Sequence, residues 1–204
     1  MDAQWFTMSG VEWLVGIDEA GRGSLAGPLA FGAFAIRPDA LAVLEGIKDS
    51  KQLSEKAREQ WHERLLLLTD TVAIYGEVSS EKIDEHRMGR VIASGSRAIA
   101  KRMLISLGVD TADALFMLDG TLAAPDSFRQ VSVIDGDMQL PVIAAASIVA
   151  KVRRDRAMRT MHCSYPQYGF NRHKGYGTVS HRAAIAAHGA TVVHRKSFTL
   201  LTKT

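Results

Sequence analysis

Gly16-Ile17-Asp18-Glu19-Ala20-Gly21-Arg22-Gly23 is the stretch whose reading decides the fold. It follows Val11, Trp13, Leu14 and Val15, so the pattern predicts a short buried strand that ends on two adjacent carboxylates and a Gly-Arg-Gly turn. Successive strand side chains point to opposite faces, so Asp18 and Glu19 can share one site only where the strand is ending. Glycines permit a tight bend and let bare backbone approach a ligand. A carboxylate pair beside exposed amides and an arginine suits a divalent metal held against a phosphate. A solvated turn after a strand accounts for these eight residues equally well, and the rest of the chain has to decide.

With 204 residues, 47% of them hydrophobic, the chain can bury one substantial core, and a single domain over 1–204 is expected. No run approaches the roughly 18 apolar residues of a membrane span. Met1-Asp2-Ala3-Gln4-Trp5 lacks the pattern of a signal peptide, and the one cysteine, Cys163, suits a reducing compartment. A cytoplasmic protein is therefore expected. The net charge of +3 hides an asymmetry: residues 151–204 hold 11 Lys+Arg against the single acid Asp155, a net of +10, so the remainder carries −7. Five of the seven histidines also lie in that basic part. An acidic body joined to a basic end suggests a metal-binding part and a polyanion-binding part, although a solvated basic face has the same composition.

Further along, Leu29 to Ile36 and Val72 to Val78 have the length and composition of strands. Between them Ser54 is a fitting N-cap for a helix whose Ala57, Trp61, Leu65 and Leu68 recur at helical spacing. Met88, Val91, Ile92, Ile99 and Met103 mark a long amphipathic helix over about 87–106, with Gly89 and Gly95 as its weak points. Ala114 to Leu118 is a compact strand ending on Asp119-Gly120, which repeats the opening arrangement; Val131 to Ile134 is a shorter strand followed by Asp135-Gly136-Asp137. Pro141 suits the first turn of an alanine-rich helix over 142–162, whose small face (Ala144, Ala145, Ala146) predicts close packing on a sheet. Thr178 caps a final helix that stops at Gly189. Interleaved strands and helices predict an α/β fold, a central sheet flanked by helices.

Asp18 with Glu19, Asp119 and Asp137 thus all stand just past strand-like runs, and strand ends of one sheet can converge. Four carboxylates without His or Cys partners favour Mg²⁺ or Mn²⁺ over zinc. Two such ions about 3.5–4 Å apart can activate a water and stabilise the leaving oxygen in phosphodiester hydrolysis. Tyr165 to Phe170 and His173 to Thr178 interleave aromatics with bases, as segments that contact phosphates and stack on sugars or bases do, but a tyrosine in such a loop is also common packing. Asp49-Ser50-Lys51 reads by itself as a polar turn before a helix. No G-x-x-x-x-G-K-[ST] occurs, which excludes a P-loop nucleotide-binding protein.

Together these segments resemble bacterial ribonuclease HII, the type 2 ribonuclease H. IDEAGRG, AGP, DSKQLSEKAR, LDG, AAASIVAKVRRDR, YPQYGF, HKGYGT and HRKSF occur in that family's order, from about Val15 to Phe198. The resemblance implies a ribonuclease H-like fold, cleavage of RNA in RNA·DNA duplexes, and incision on the 5′ side of a single ribonucleotide in duplex DNA with 3′-hydroxyl and 5′-phosphate ends. It implies that Asp18, Glu19, Asp119 and Asp137 are the catalytic metal ligands for Mn²⁺ or Mg²⁺ in a two-metal mechanism. Gly21, Arg22 and Gly23 would contact the 2′-OH and the adjacent phosphate, the hydroxyl being what distinguishes RNA from DNA. Tyr176 would stack on the following deoxyribose, while Ser50, Lys51, Lys151 and Lys174 would contact substrate. Expected partners are an RNA·DNA hybrid and ribonucleotide-containing DNA; a monomer away from membranes is the default, and the tail Thr199 to Thr204 has no clear docking signature.

The sequence departs from the family pattern in three places: Asp135 where lysine is common, Ser24 where proline or another small residue is usual, and Arg87 with Gly89 at the start of the long helix. An acid at 135 would tighten metal binding, raise a neighbouring carboxylate's pKa or repel the backbone; Ser24 is expected to matter little. An inert nucleic-acid-binding module on the same fold is the alternative reading. Four acids facing phosphates would do nothing for such a module.

Overall fold

The computed structural model describes residues 10–201; Met1 to Trp5, read above for a leader, and the last three residues of the tail lie outside them. The interleaved pattern folds as a five-stranded mixed sheet with helices on both faces. Strands β1 (Trp13–Ala20), β2 (Leu29–Ile36), β3 (Thr71–Val78), β4 (Ala114–Asp119) and β5 (Arg129–Val133) lie in the order β3-β2-β1-β4-β5. β2 is antiparallel to both its neighbours, and β1, β4 and β5 run parallel. The helices are α1 (Glu55–Leu67), α2 (Ser80–His86), α3 (Met88–Leu107), the one-turn α4 (Gly136–Gln139), α5 (Pro141–Ser164), the one-turn α6 (Phe170–His173) and α7 (Val179–His188).

The alternation of strand side chains assigns the two cores. Trp13, Val15 and Ile17 of β1 with Phe31, Ala33 and Ala35 of β2 pack against Val91, Ile99 and Met103 of α3. Leu14, Phe34 and Ile36 point the other way, onto Val142, Ile143, Ala146 and Val149 of α5. The small residues let α5 lie directly on the strands: a Cβ built on Gly16 would stand 2.0 Å from the Val142 carbonyl oxygen, and one on Gly32 2.2 Å from that of Ala146. On the opposite face Gly95 is no weak point. Its missing side chain admits the Phe31 ring, which a Cβ there would meet at 2.3 Å.

Capping follows the sequence. Ser54 Oγ accepts from the Ala57 amide (3.2 Å), Thr178 Oγ1 from that of His181 (3.2 Å), and Pro141 opens α5. Periodicity did not predict α2 or the 3₁₀ turns at Pro38–Leu44 and Pro166–Tyr168, which are too short to show a period. β1 begins at Trp13 and β5 already at Arg129, where the chain is polar.

The basic end forms a third, smaller core in which Leu25, Ala26, Met158, Tyr168, Phe170 and Ile185 are buried. The aromatics of Tyr165 to Phe170 are therefore largely packing: Tyr168 stacks on Phe170 with centroids 5.5 Å apart and donates to the Gly189 carbonyl (2.7 Å). Beside it lies a chain of histidines. His181 and His194 are buried with their Nε2 atoms 3.3 Å apart, His181 Nδ1 donates to the Tyr176 carbonyl (2.9 Å), and His194 Nδ1 accepts from the Thr191 amide (3.0 Å). Each such bond uses the neutral imidazole, one nitrogen donating and one accepting. Burial, and then His181, push His194 down to about 4. A histidine that stays neutral in the fold but charges in the unfolded chain costs stability as pH falls from 6.5 toward 4, by about 3 kcal/mol for His194 at pH 4. Urea unfolding at pH 7 and pH 4 is expected to show that loss in the wild type and a smaller one in His194→Gln.

Candidate active site

One cleft opens at the ends of β1 and β4, lined by Asp18, Glu19, the Gly21-Arg22-Gly23 turn, Ser50, Lys51, Asp119, Ser147, Lys151 and Tyr176. β1 does not end at its carboxylates, as the sequence suggested. It continues to Ala20 against β2, but its pairing with β4 stops at Ile17 and Leu118, so one side of the strand is open at Asp18 and Glu19. That opening, rather than a strand terminus, lets neighbouring side chains share a cleft.

Asp18 lies on the α5 side, buried, with Oδ1 accepting from the Glu19 amide (2.7 Å), and the Ser147 hydroxyl favours its charged form. Burial, and after it the charges of Asp119 and Glu19, hold its carboxyl well above the usual range. Burial also raises Glu19, against the opposing pull of Arg22, whose Nη1 is 3.7 Å from Glu19 Oε1. Asp119, on the last residue of β4, accepts the Gly136 amide at 2.8 Å and is raised by burial and then by Asp137. That bond fixes the turn entering α4, which seats Asp137. The fourth carboxylate thus stands in a helical turn rather than at a strand end.

Asp137 is buried, and its Oδ2 accepts from Lys51 Nζ at 2.9 Å. Burial alone would lower Lys51, but Asp137, Asp49 and Asp18 together hold it above its ordinary value. Asp49 accepts the Lys51 amide (2.9 Å), and Arg58 Nη1 donates to the Ser50 carbonyl (2.8 Å). Ser50 Oγ lies 2.7 Å from Ser147 Oγ, both buried, and this bond ties the 49–51 segment to α5. The polar segment is therefore more than a turn before a helix. Sequence reading missed Ser147, whose one signal was a hydroxyl interrupting the alanine face of α5.

Lys151 lines the cleft, bonded to Asp155 Oδ1 (2.9 Å) and 5.4 Å from the centroid of the Tyr176 ring. Tyr176 is 37% exposed, the one aromatic of the basic segments that faces the cleft. Lys174 does not join it. Its buried side chain donates to the Asn171 carbonyl (2.5 Å) and lies 3.6 Å from Glu55 Oε2, because its left-handed backbone (φ 51°) turns it back over α6. Asp135, also left-handed (φ 50°), is exposed and outside the cleft lining. Ser24 has a definite partner: its buried Oγ accepts from Arg154 Nη2 at 2.8 Å.

The donor set fits a hard divalent cation. All four carboxylates offer oxygen only, three are raised by burial and by one another, and an ammonium already neutralises the fourth. Among the described residues no three His, Cys, Asp or Glu groups form a ready-made cage.

A family model described as ribonuclease HII matches residues 15–201. A ribonuclease HII of Coxiella burnetii (strain Dugway 5J108-111) is 39% identical over 199 residues, 97% of this chain and 94% of the relative. That of Chlamydia muridarum is 44% identical over 189 residues, covering 93% and 83%. Among solved structures, the ribonuclease HII in a PCNA complex from Archaeoglobus fulgidus superposes with a TM-score of 0.73 at 28% identity, over 94% of this chain and 97% of that one. The ribonuclease H2 of Pyrococcus horikoshii OT3 shares the fold, with a TM-score of 0.69 at 24% identity over 92% and 94%.

Proposed function

The chain belongs to the ribonuclease HII family and is an endoribonuclease of the ribonuclease H type acting on RNA·DNA hybrids; from this we propose that it also incises duplex DNA on the 5′ side of a single embedded ribonucleotide, leaving 3′-hydroxyl and 5′-phosphate ends. The observation that carries the reading is the juxtaposition, in one cleft, of three carboxylates, Asp18 buried and Glu19 and Asp119 half-buried, with a glycine turn and an exposed tyrosine. A carboxylate set can cut any phosphodiester; a turn that reaches a 2′-OH and a ring that takes a deoxyribose select a ribonucleotide followed by DNA.

In this reading Asp18, Glu19, Asp119 and Asp137 hold Mn²⁺ or Mg²⁺. When bound, such ions supply an activated water and charge stabilisation at the leaving oxygen. The chain's own groups do the positioning. The backbone of Gly21, Arg22 and Gly23 binds the ribose hydroxyl and its phosphate, Ser50, Lys51 and Lys151 hold neighbouring phosphates, and Tyr176 lies against the next sugar. Phosphate contacts of this kind place the duplex without reading its sequence. Lys174, turned into the protein, supports the 173–176 segment rather than the substrate. The reading places these functions in one catalytic domain, working in the cytoplasm on misincorporated ribonucleotides and RNA primers. No helix among the described residues is long and apolar enough to cross a membrane. The PCNA complex of the Archaeoglobus fulgidus relative makes a PCNA counterpart the protein partner to assay.

A labelled DNA duplex carrying one ribonucleotide, incubated with protein and Mn²⁺ or Mg²⁺, is expected to be nicked 5′ to that nucleotide. EDTA should abolish the nick, and all-DNA duplex should stay intact. Binding without a nick under either metal would leave the inert-module reading in its place.

A further inference from the structure

Two arginines lie wholly beneath the glycine turn. Arg154 of α5 and Arg195 near the end of the chain are each 0% exposed. A buried guanidinium ordinarily meets a carboxylate, because an unpaired charge is costly in the interior. Among the described residues neither forms an ion pair; Asp155, the acid next to Arg154 in sequence, is engaged by Lys151. Their hydrogen bonds instead serve a single segment, 21–28, while Arg154 also lies 5.4 Å from the centroid of the Tyr176 ring and Arg195 5.5 Å from that of Phe198. Arg195 Nη1 donates to the carbonyls of Gly21 (2.8 Å) and Arg22 (2.9 Å), and its Nε to that of Gly27 (3.0 Å). Arg154 Nε donates to the Pro28 carbonyl (3.0 Å), and its Nη2 to Ser24 Oγ (2.8 Å) and the Ala26 carbonyl (3.4 Å). Each keeps one buried nitrogen without a partner, Arg154 Nη1 and Arg195 Nη2.

The planarity of the peptide bond turns these contacts into a statement about the cleft. In a trans peptide the C=O and the following N–H point in opposite directions. With the Gly21 and Arg22 carbonyls directed inward to Arg195, the N–H groups of Arg22 and Gly23 are directed away from it, toward the cleft those residues line. Contact is direct: a Cβ on Gly21, at φ +87°, would meet Arg154 Nε at 1.9 Å. Burial, and after it the charge of Arg154, push Arg195 down to about 9, which leaves it charged at neutral pH. Two positive charges thus stand behind the turn, and among the described residues no carboxylate forms an ion pair with either.

We propose that Arg154 and Arg195 are positioning residues for substrate recognition: they fix the carbonyl side of segment 21–28, so that the Arg22 and Gly23 amides meet the ribonucleotide and its phosphate on a turn made electropositive from behind. The proposal rests on the reading of this cleft as a ribonucleotide-incising site, and it adds two residues that touch neither substrate nor metal. A substrate phosphate supplies the anion that the free protein does not pair with these guanidiniums.

Arg195→Lys and Arg154→Lys test it, since a single ammonium retains the charge but cannot span the same carbonyls. The readout is the Kd for a single-ribonucleotide duplex and for all-DNA duplex, measured in EDTA, with the binding-competent fraction counted by stoichiometric titration. The Kd for the ribonucleotide duplex is expected to rise about tenfold in either variant, with reduced preference over DNA. Unchanged Kd values with a smaller competent fraction would show a purely structural role and overturn the proposal. Should the lysine variants not fold, Ser24→Ala, which removes one acceptor of Arg154, is expected to weaken ribonucleotide binding about threefold; an unchanged Kd there would overturn it equally. A wild type that prefers the ribonucleotide duplex but never nicks it would defeat the functional reading and leave the Kd comparison standing.

Discussion

Asp119→Asn is expected to slow nicking at an embedded ribonucleotide by about 10³-fold or more, while duplex affinity stays within about twofold. The size follows from the several kcal/mol a divalent ion contributes to transition-state charge, at about 1.36 kcal/mol per factor of ten. The substitution spares the architecture, because the asparagine oxygen still accepts the Gly136 amide that seats Asp137. It also removes a charge that burial and Asp137 disfavour. A carboxyl raised in the fold contributes stability below its unfolded pKa and loses it as pH rises through its folded one, so at neutral pH the ionised group is a burden. The variant should therefore melt at or above the wild type in EDTA. Addition of Mn²⁺ should raise the melting temperature of the wild type more than that of the variant, since a ligand stabilises only a state that binds it. Thermal melts with and without metal, a duplex-binding titration and a single-turnover nicking assay check the four outcomes. A variant that cut as fast as the wild type would remove Asp119 from the metal site.

Gly32→Ala is expected to cost about 3 kcal/mol or more of stability, near the upper end for an overpacked core. The added methyl would lie 2.2 Å from the Ala146 carbonyl oxygen and 2.6 Å from the Ala150 amide nitrogen, backbone atoms that can retreat only if α5 lifts from the sheet. That movement would reach the cleft, because Gly32 is paired with Asp18 across β1 and β2, and Ser147 of α5 lines the cleft with Asp18 and bonds Ser50. Gly89→Ala is the control. A Cβ placed there would meet nothing within 4 Å, and alanine in a helix is worth up to about 1 kcal/mol over glycine. Urea unfolding of the pair should move in opposite directions.

The elements with enough length to show a period were legible in the sequence: the strands over 29–36, 72–78 and 114–118, the long helix and the alanine-rich one, with the caps at Ser54 and Thr178. Short elements were not, because α2 and the one-turn helices owe their form to contacts distant in sequence, such as Ser80 Oγ with the Val192 carbonyl (3.1 Å). Asp18, Glu19, Asp119 and the glycine turn were visible because carboxylate and glycine both stand where strand patterns break. Asp49, Ser147, Arg154 and Arg195 carried no such mark. Asp49 bonds the nearby Lys51 amide, while the hydrogen-bonded partners of the Ser147, Arg154 and Arg195 side chains lie 97 to 174 residues away, and neither periodicity nor spacing reports a contact of that range.

By itself, then, the sequence determined the α/β class, the residue types available for metal and phosphate chemistry, and the split between an acidic body and a basic end. Tertiary structure alone decided which of those residues meet. It turned Lys174 away from the cleft while leaving Lys151 in it, and committed Tyr168 to packing while exposing Tyr176. It opened β1 to the cleft by ending its pairing with β4 one residue before Asp18. The physical reason is that side-chain direction and burial depend on the neighbouring strand or helix, and a local pattern of polarity is the same whether that neighbour is present or absent.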